Sequence, residues 1–210
     1  MSMSSPSQRL AQILREGRFV ATRELGEECA AELHTHAKER YLALEATIPE
    51  LQSSMSRKLF ELGPPVLAIY QALLHDLGVD RGPALRLAED MLLAFYRKQL
   101  DRSPLLGAAM DIVFRLEPAR RLIMKSMVPG SPGGSRFDKA SDAGARLASG
   151  ARECPLVAFA RRHGAPEIVA MIGQLDALRA NAPRGVGLRR TGALDMGAAR
   201  GGFRYVTVKK

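Results

Sequence analysis

The chain contains no tryptophan, and aromatic residues make up only 5% of its 210 positions. Modules that bind single-stranded nucleic acid stack bases on several aromatic side chains, and that supply is missing here. Only two cysteines occur, Cys29 and Cys154, far apart and in no paired motif. A cytosolic setting keeps such thiols reduced, so no disulfide is expected. There is no Cys/His quartet for structural zinc, and neither a metal nor a cofactor is expected. No apolar run reaches the roughly 18 residues of a membrane span. The N-terminus, MSMSSPSQRL, lacks the apolar stretch and cleavage site of a secretory signal. The expected address is the cytoplasm.

What remains is ordinary globular material: 46% hydrophobic and 25% charged residues, at a length that suits one domain with a substantial core. Charge is uneven. Residues 1–96 hold 10 Lys+Arg against 13 Asp+Glu (net −3), and residues 97–210 hold 21 against 9 (net +12). A basic half can bind phosphates, but nothing here resembles a nucleic-acid module. A carboxylated small molecule suits the positive half better. The expected partner is therefore a small molecule, with no nucleic acid and no membrane; the sequence does not set the oligomeric state, and a homodimer is compatible with it.

Residues 1–8, serine-rich and without periodicity, are expected to be disordered. Residues 9–210 read as one domain, helical to about 128 and mixed over 135–210. Leu10, Ile13 and Leu14 predict a helix from about Gln8 to Arg23. Ala30, Leu33, Ala37, Tyr41 and Leu44 line the stripe of a longer one from Gly26 to Ala46. On that helix Cys29, Glu32 and His36 share a face, which reads as a polar stripe on a solvated surface before it reads as a metal half-site. His34 and His36 lie two apart and point to different sides. Pro64 or Pro65 opens a further helix with Val66, Ile69, Tyr70, Leu73, Leu74 and Leu77 inward, and Gly78 stops it. Gly82-Pro83 opens the next, with Leu85, Ala88, Leu92 and Phe95 inward. Ser103-Pro104 caps another carrying Leu106 and Met110, a short helix runs on to Met127, and VPGSPGGS at 128–135 is a loop.

The last quarter has a definite order. Cys154-Pro155 opens a short helix; Gly164-Ala165-Pro166-Glu167 stops it and starts a second, which carries Asp176. Residues 186–194 alternate with period two, as do 203–208, and a Gly-rich turn joins them as a hairpin. Residues 135–142 and 145–153 read more weakly as strands.

This order resembles the C-terminal half of the L-2-amino-thiazoline-4-carboxylic acid hydrolase family. Its pattern is a Cys at the first helix, Gly-x-Pro-Glu-Leu, Phe-Cys-x-x-Asp, Arg-x-Gly-Thr-Leu and Cys-Asp-Phe-Arg. A looser likeness reaches back to about Ile48 through Ala68-x-Tyr70-x-x-Leu73. The chain departs from the pattern at Gly173, where a second cysteine is due, and at Gly201-Gly202, where Cys-Asp is due. The expected fold class is α+β: a helical N-terminal half packed on a small antiparallel sheet, with two helices, 155–163 and 165–180, inserted between its strand pairs.

Opening a cyclic amidine or thiazoline at a C–N bond needs a nucleophile or activated water, a proton donor, and a holder for the carboxylate. A Cys at a helix N-terminus suits the first task, because the helix dipole and open N–H groups favour thiolate. The resemblance implies Cys154 and Asp176 as catalytic residues. Arg190 can clamp a carboxylate with both oxygens, and Thr191, Arg204 and Tyr70 complete the expected substrate-binding set. The bland readings stand beside these: a buried small thiol, a helix-capping acid, a surface Arg, a core Tyr. The loss of two cysteines and one acid keeps a second function open, a catalytically inactive small-molecule-binding, sensing or protective protein on the same scaffold.

Overall fold

The computed structural model describes residues 6–51, 54–101, 116, 118, 136–139, 147–173, 186–191 and 201–207. Helix α1 (Pro6–Leu25) begins at a proline, two residues ahead of the expected start. Proline suits a first helical turn, where its missing N–H would have had no partner. Helix α2 (Glu27–Glu45) follows directly, separated only by Gly26 at φ 85°. Its buried residues are Ala30, Leu33, Ala37, Tyr41 and Leu44, the stripe the spacing predicts.

Helix α3 (Ser54–Phe60) is short, and α4 (Gly63–Gln71) starts on Pro64 and Pro65. Helix α4 then widens into a π-helical turn, Ala72–Asp76, closed by the Leu77 N–H on the Ala72 carbonyl at 3.0 Å. Single π turns joined to α-helices are uncommon. This one is held by a two-pronged ion pair: Arg40 Nε to Asp76 Oδ2 at 2.9 Å and Nη2 to Oδ1 at 2.7 Å. That pairing, led by the hydrogen bond from Arg40, keeps the Asp76 carboxyl below its ordinary range. Gly78, at φ 64°, turns the chain into α5 (Arg81–Asp101).

Helix α1 packs along α5 and α2, and α2 packs on α4. At the α1/α5 contact a Cβ on Gly17 would lie 2.8 Å from Met91 Cβ and 3.1 Å from its Cα. The two helices therefore touch almost backbone to backbone. Beside that point Glu16, its side chain only 4% exposed, meets Lys98 Nζ at 2.6 Å and Arg15 Nη2 at 2.8 Å. Hydrogen bonds from Lys98 and then Arg15 pull its carboxyl down to about 2.

Downstream come β1 (Arg136–Lys139) and β2 (Leu147–Glu153), then α6 (Pro155–Arg162) and a helix over 167–173, here α7. Segments β3 (Val186–Thr191) and β4 (Gly201–Thr207) follow. The four strand segments pair backbone to backbone, all antiparallel, in the order β1-β2-β4-β3.

The core itself is helical, and this corrects the expected α+β class. Where side chains are described, 83% of residues are helical and none lies in a strand, so the described core is that of a helical protein and not of a helical half packed on a sheet. The buried apolar cluster joins α1, α2, α4 and α5 to Leu156, Phe159, Ala160, Ile168 and Ile172 of α6 and α7. Period-two alternation reports how a segment pairs locally; it does not say which surface the helices bury against. The helical stripes find one another instead. The helix expected from Ser103, the helix ending at Met127 and the loop at 128–135 lie outside the described residues, Leu116 and Pro118 excepted. Among the described residues no helix is long and apolar enough to cross a membrane.

Candidate functional site

Cys154 is the N-cap of α6. Its backbone is extended (φ −137°, ψ 115°), and its carbonyl accepts from the N–H groups of Val157 at 3.0 Å and Ala158 at 3.3 Å. Pro155 supplies the first helical residue, where no N–H is needed. The residue is half-buried at the edge of the core. Two positions on, Leu156 seats on the start of α4: a Cβ on Gly63 would collide with Leu156 Cδ1. One turn further Phe159 meets Phe60 edge to face, with ring centroids 5.1 Å apart.

Helix α6 ends at His163 and Gly164, the latter at φ 70°, a left-handed corner that glycine adopts without a steric penalty. The His163 ring lies 4.7 Å from the Phe159 ring, and its Nε2 is 3.0 Å from Thr47 Oγ1. The Thr47 hydroxyl already donates to the Leu44 carbonyl at 2.7 Å, so it accepts from His163, and this assigns a proton to Nε2. Burial, with Arg162 adding to it, pushes His163 below the ordinary histidine value.

Pro166 then starts α7, and Glu167 reaches back across the seam. One carboxylate oxygen, Oε1, accepts from the Tyr70 hydroxyl at 2.5 Å and from Arg81 Nε at 2.7 Å. Arg81 Nη2 also donates to the Gly164 carbonyl at 3.2 Å. Burial works against ionising Glu167, yet Arg81 and Tyr70 outweigh it and hold the carboxyl below its ordinary range. Tyr70 is 1% exposed; burial first, and the Glu167 carboxylate second, raise its hydroxyl to about 12. It stays a neutral donor at any physiological pH.

The expected site residues are therefore distributed. Cys154 lies at the start of α6, two residues before Leu156, which meets Gly63 at the start of α4. Tyr70 lies seven residues further along that helix, about 10 Å at the helical rise, with its hydroxyl committed to Glu167. Arg190 and Thr191 lie on β3, in register with Phe203 and Gly202 of β4, and Arg204 is paired with Arg189. Asp176 lies outside the described residues. Cys29 and Cys154 form no disulfide, and among the described residues no three His, Cys, Asp or Glu gather into a metal site.

Three groups escape a reading of the sequence alone: Glu167, Arg81 and the His163–Thr47 pair. Only Glu167 leaves a trace, as the acid closing Gly164-Ala165-Pro166-Glu167, where a helix-starting role explains it sufficiently. No family model, curated protein or solved structure matches the chain.

Proposed function

We propose that the chain is a cytoplasmic hydrolase-like enzyme that opens a small carboxylated ring containing nitrogen or sulfur, of the thiazoline-carboxylate kind. In this reading the Cys154 thiolate attacks the amidine carbon of the ring. Asp176 handles the proton that leaves the thiol and returns to the departing ring atom. The carboxylate is held by Arg190 on one face of the β3/β4 ribbon, with Thr191 and Arg204 as the pair on the other face, because Arg204 is in register with Arg189 and strand neighbours alternate faces. Water then releases the product from sulfur and restores the thiol. Tyr70, bound to Glu167, supports the α4/α7 contact from behind.

The observation that carries the reading is the position of Cys154 as the N-cap of α6. The thiol there stands at the positive end of the helix dipole, which favours an anion. Val157 and Ala158 give their N–H groups to the Cys154 carbonyl and Pro155 has none, so the dipole rather than a row of open donors supports the thiolate. The ordered C-terminal motif supports it. The test is turnover of thiazoline carboxylates by the purified chain beside its Cys154→Ala and Asp176→Ala variants. Ring opening that falls by on the order of a hundredfold or more in both is the expected result for a nucleophile and a proton carrier. Equal activity in both variants removes these residues from the mechanism.

A second reading is favoured by glycine at 173, 201 and 202, positions where the resembled pattern has Cys, Cys and Asp. Glycine supplies neither ligand nor nucleophile, so the scaffold would bind the same class of ligand without transforming it. Thermal stabilisation by a thiazoline carboxylate with no product formed is its signature.

A further inference from the structure

The 155–173 helix pair is fastened to the rest of the molecule by polar contacts at one corner. His163 sits at the end of α6, against Thr47 just beyond α2, with Phe159 on its ring and Arg162 as its charged neighbour. Four residues later Glu167 is held by Tyr70 of α4 and Arg81 of α5, and Arg81 also grips the Gly164 carbonyl. Both fastenings work with the deprotonated partner. A second proton on His163 places charge in a half-buried site beside Arg162, and a proton on Glu167 removes the charge that Arg81 and Tyr70 hold. Either change costs the docked state and leaves the undocked state unaffected.

We propose that this corner is an acid-sensitive latch: protonation of His163, and at lower pH of Glu167, loosens the 155–173 pair from α2, α4 and α5 while α1 and α2 stay packed. The order follows from which proton is taken up first. His163 charges below the ordinary histidine value of 6.5, whereas Glu167 gives way only below the ordinary carboxyl value of 4.5. The α1/α5 seam depends on Glu16, which keeps its charge down to about 2. His34 on α2 is also pushed down, by burial and by Lys38 and Arg18, and it is the rival trigger. It forms no hydrogen bond to another element among the described residues, so its charging releases no contact.

Hydrogen exchange of the intact chain, resolved by peptide and corrected for intrinsic rate, tests this between about pH 7.5 and pH 5.5, a range that spans histidine titration. Protection within 155–173 should fall more steeply than protection in α1 and α2. The fall is bounded at about tenfold per unit of pH for one proton. His163→Gln keeps an N–H donor for Thr47 and cannot titrate, so it should flatten that fall. Below pH 4.5, Glu167→Gln should likewise flatten the second step. Parallel loss across α1, α2 and 155–173, no loss in 155–173, or an unchanged fall in His163→Gln each overturns the latch. The wild-type regional comparison decides the matter even if a variant does not fold.

Discussion

Two seams of the molecule are built from the same parts and behave differently. At α1/α5 a glycine, Gly17, admits Met91, and a carboxylate, Glu16, gathers Lys98 and Arg15. At α4/α6–α7 a glycine, Gly63, admits Leu156, and a carboxylate, Glu167, gathers Tyr70 and Arg81. The first glycine faces Met91 where its side chain leaves the backbone; the second faces the tip of a leucine. The first carboxylate meets two cations, Lys98 and Arg15, whereas the second shares one oxygen between a buried phenol and a guanidinium. Rigid parts meet at the first seam and adjustable, titratable parts at the second. The second also carries Cys154, which is why its adjustability bears on the proposed function.

The comparison breaks most visibly through the aromatic anchor of the second seam. Phe159 is 2% exposed and edge-on to Phe60. Phe159→Ala should cost about 3–5 kcal/mol in chemical denaturation, the range for emptying a buried aromatic site. A cost under about 1 kcal/mol would mean that 155–173 is not part of the core.

Next in size is the contrast between the glycines. Gly17→Ala should destabilise by about 1–3 kcal/mol despite the better helix propensity of alanine, because Met91 Cα and Cβ cannot yield. Gly63→Ala should cost less, about 1 kcal/mol or under, since Leu156 can rotate its tip away. Denaturant midpoints in the reverse order would contradict the distinction between the seams.

Removing a single hydroxyl sharpens the account of the carboxylates. Tyr70→Phe removes one donor from Glu167 and should cost about 1–2 kcal/mol. It should also alter the alkaline limb. A phenol raised to about 12 in the native state stabilises the fold fully below its ordinary value of 10. That contribution is lost as pH rises from 10 towards 12. Wild type should weaken across that window by more than Tyr70→Phe does.

Much of the helical part is legible from the sequence, because a period of 3.6 reports burial directly: Leu33, Ala37 and Tyr41 repeat on one face and are buried together. The π turn is not, since Ala72–Asp76 reads as an ordinary continuation of α4; its Arg40 clasp lies 36 residues away. The seam chemistry is not legible either. Tyr70 and Glu167 are 97 residues apart, and neither residue type announces the other. The fold class failed for a related reason. Alternation in 186–194 and 203–208 is a local signal, whereas the packing of α6 and α7 onto α4 is decided by contacts such as Leu156 on Gly63. Among the proposed site residues, Cys154 was legible as a helix opener because Pro155 follows it, and it is the N-cap of α6.

The most direct test of the proposed chemistry is mass analysis of the chain mixed with a thiazoline carboxylate and quenched in acid within the first turnover. The account predicts a ligand-sized mass increase on the peptide that carries Cys154, absent from Cys154→Ala, with opened ring accumulating only in wild type. Ring opening at an undiminished rate by Cys154→Ala, with no mass increase on the wild-type thiol, would contradict it.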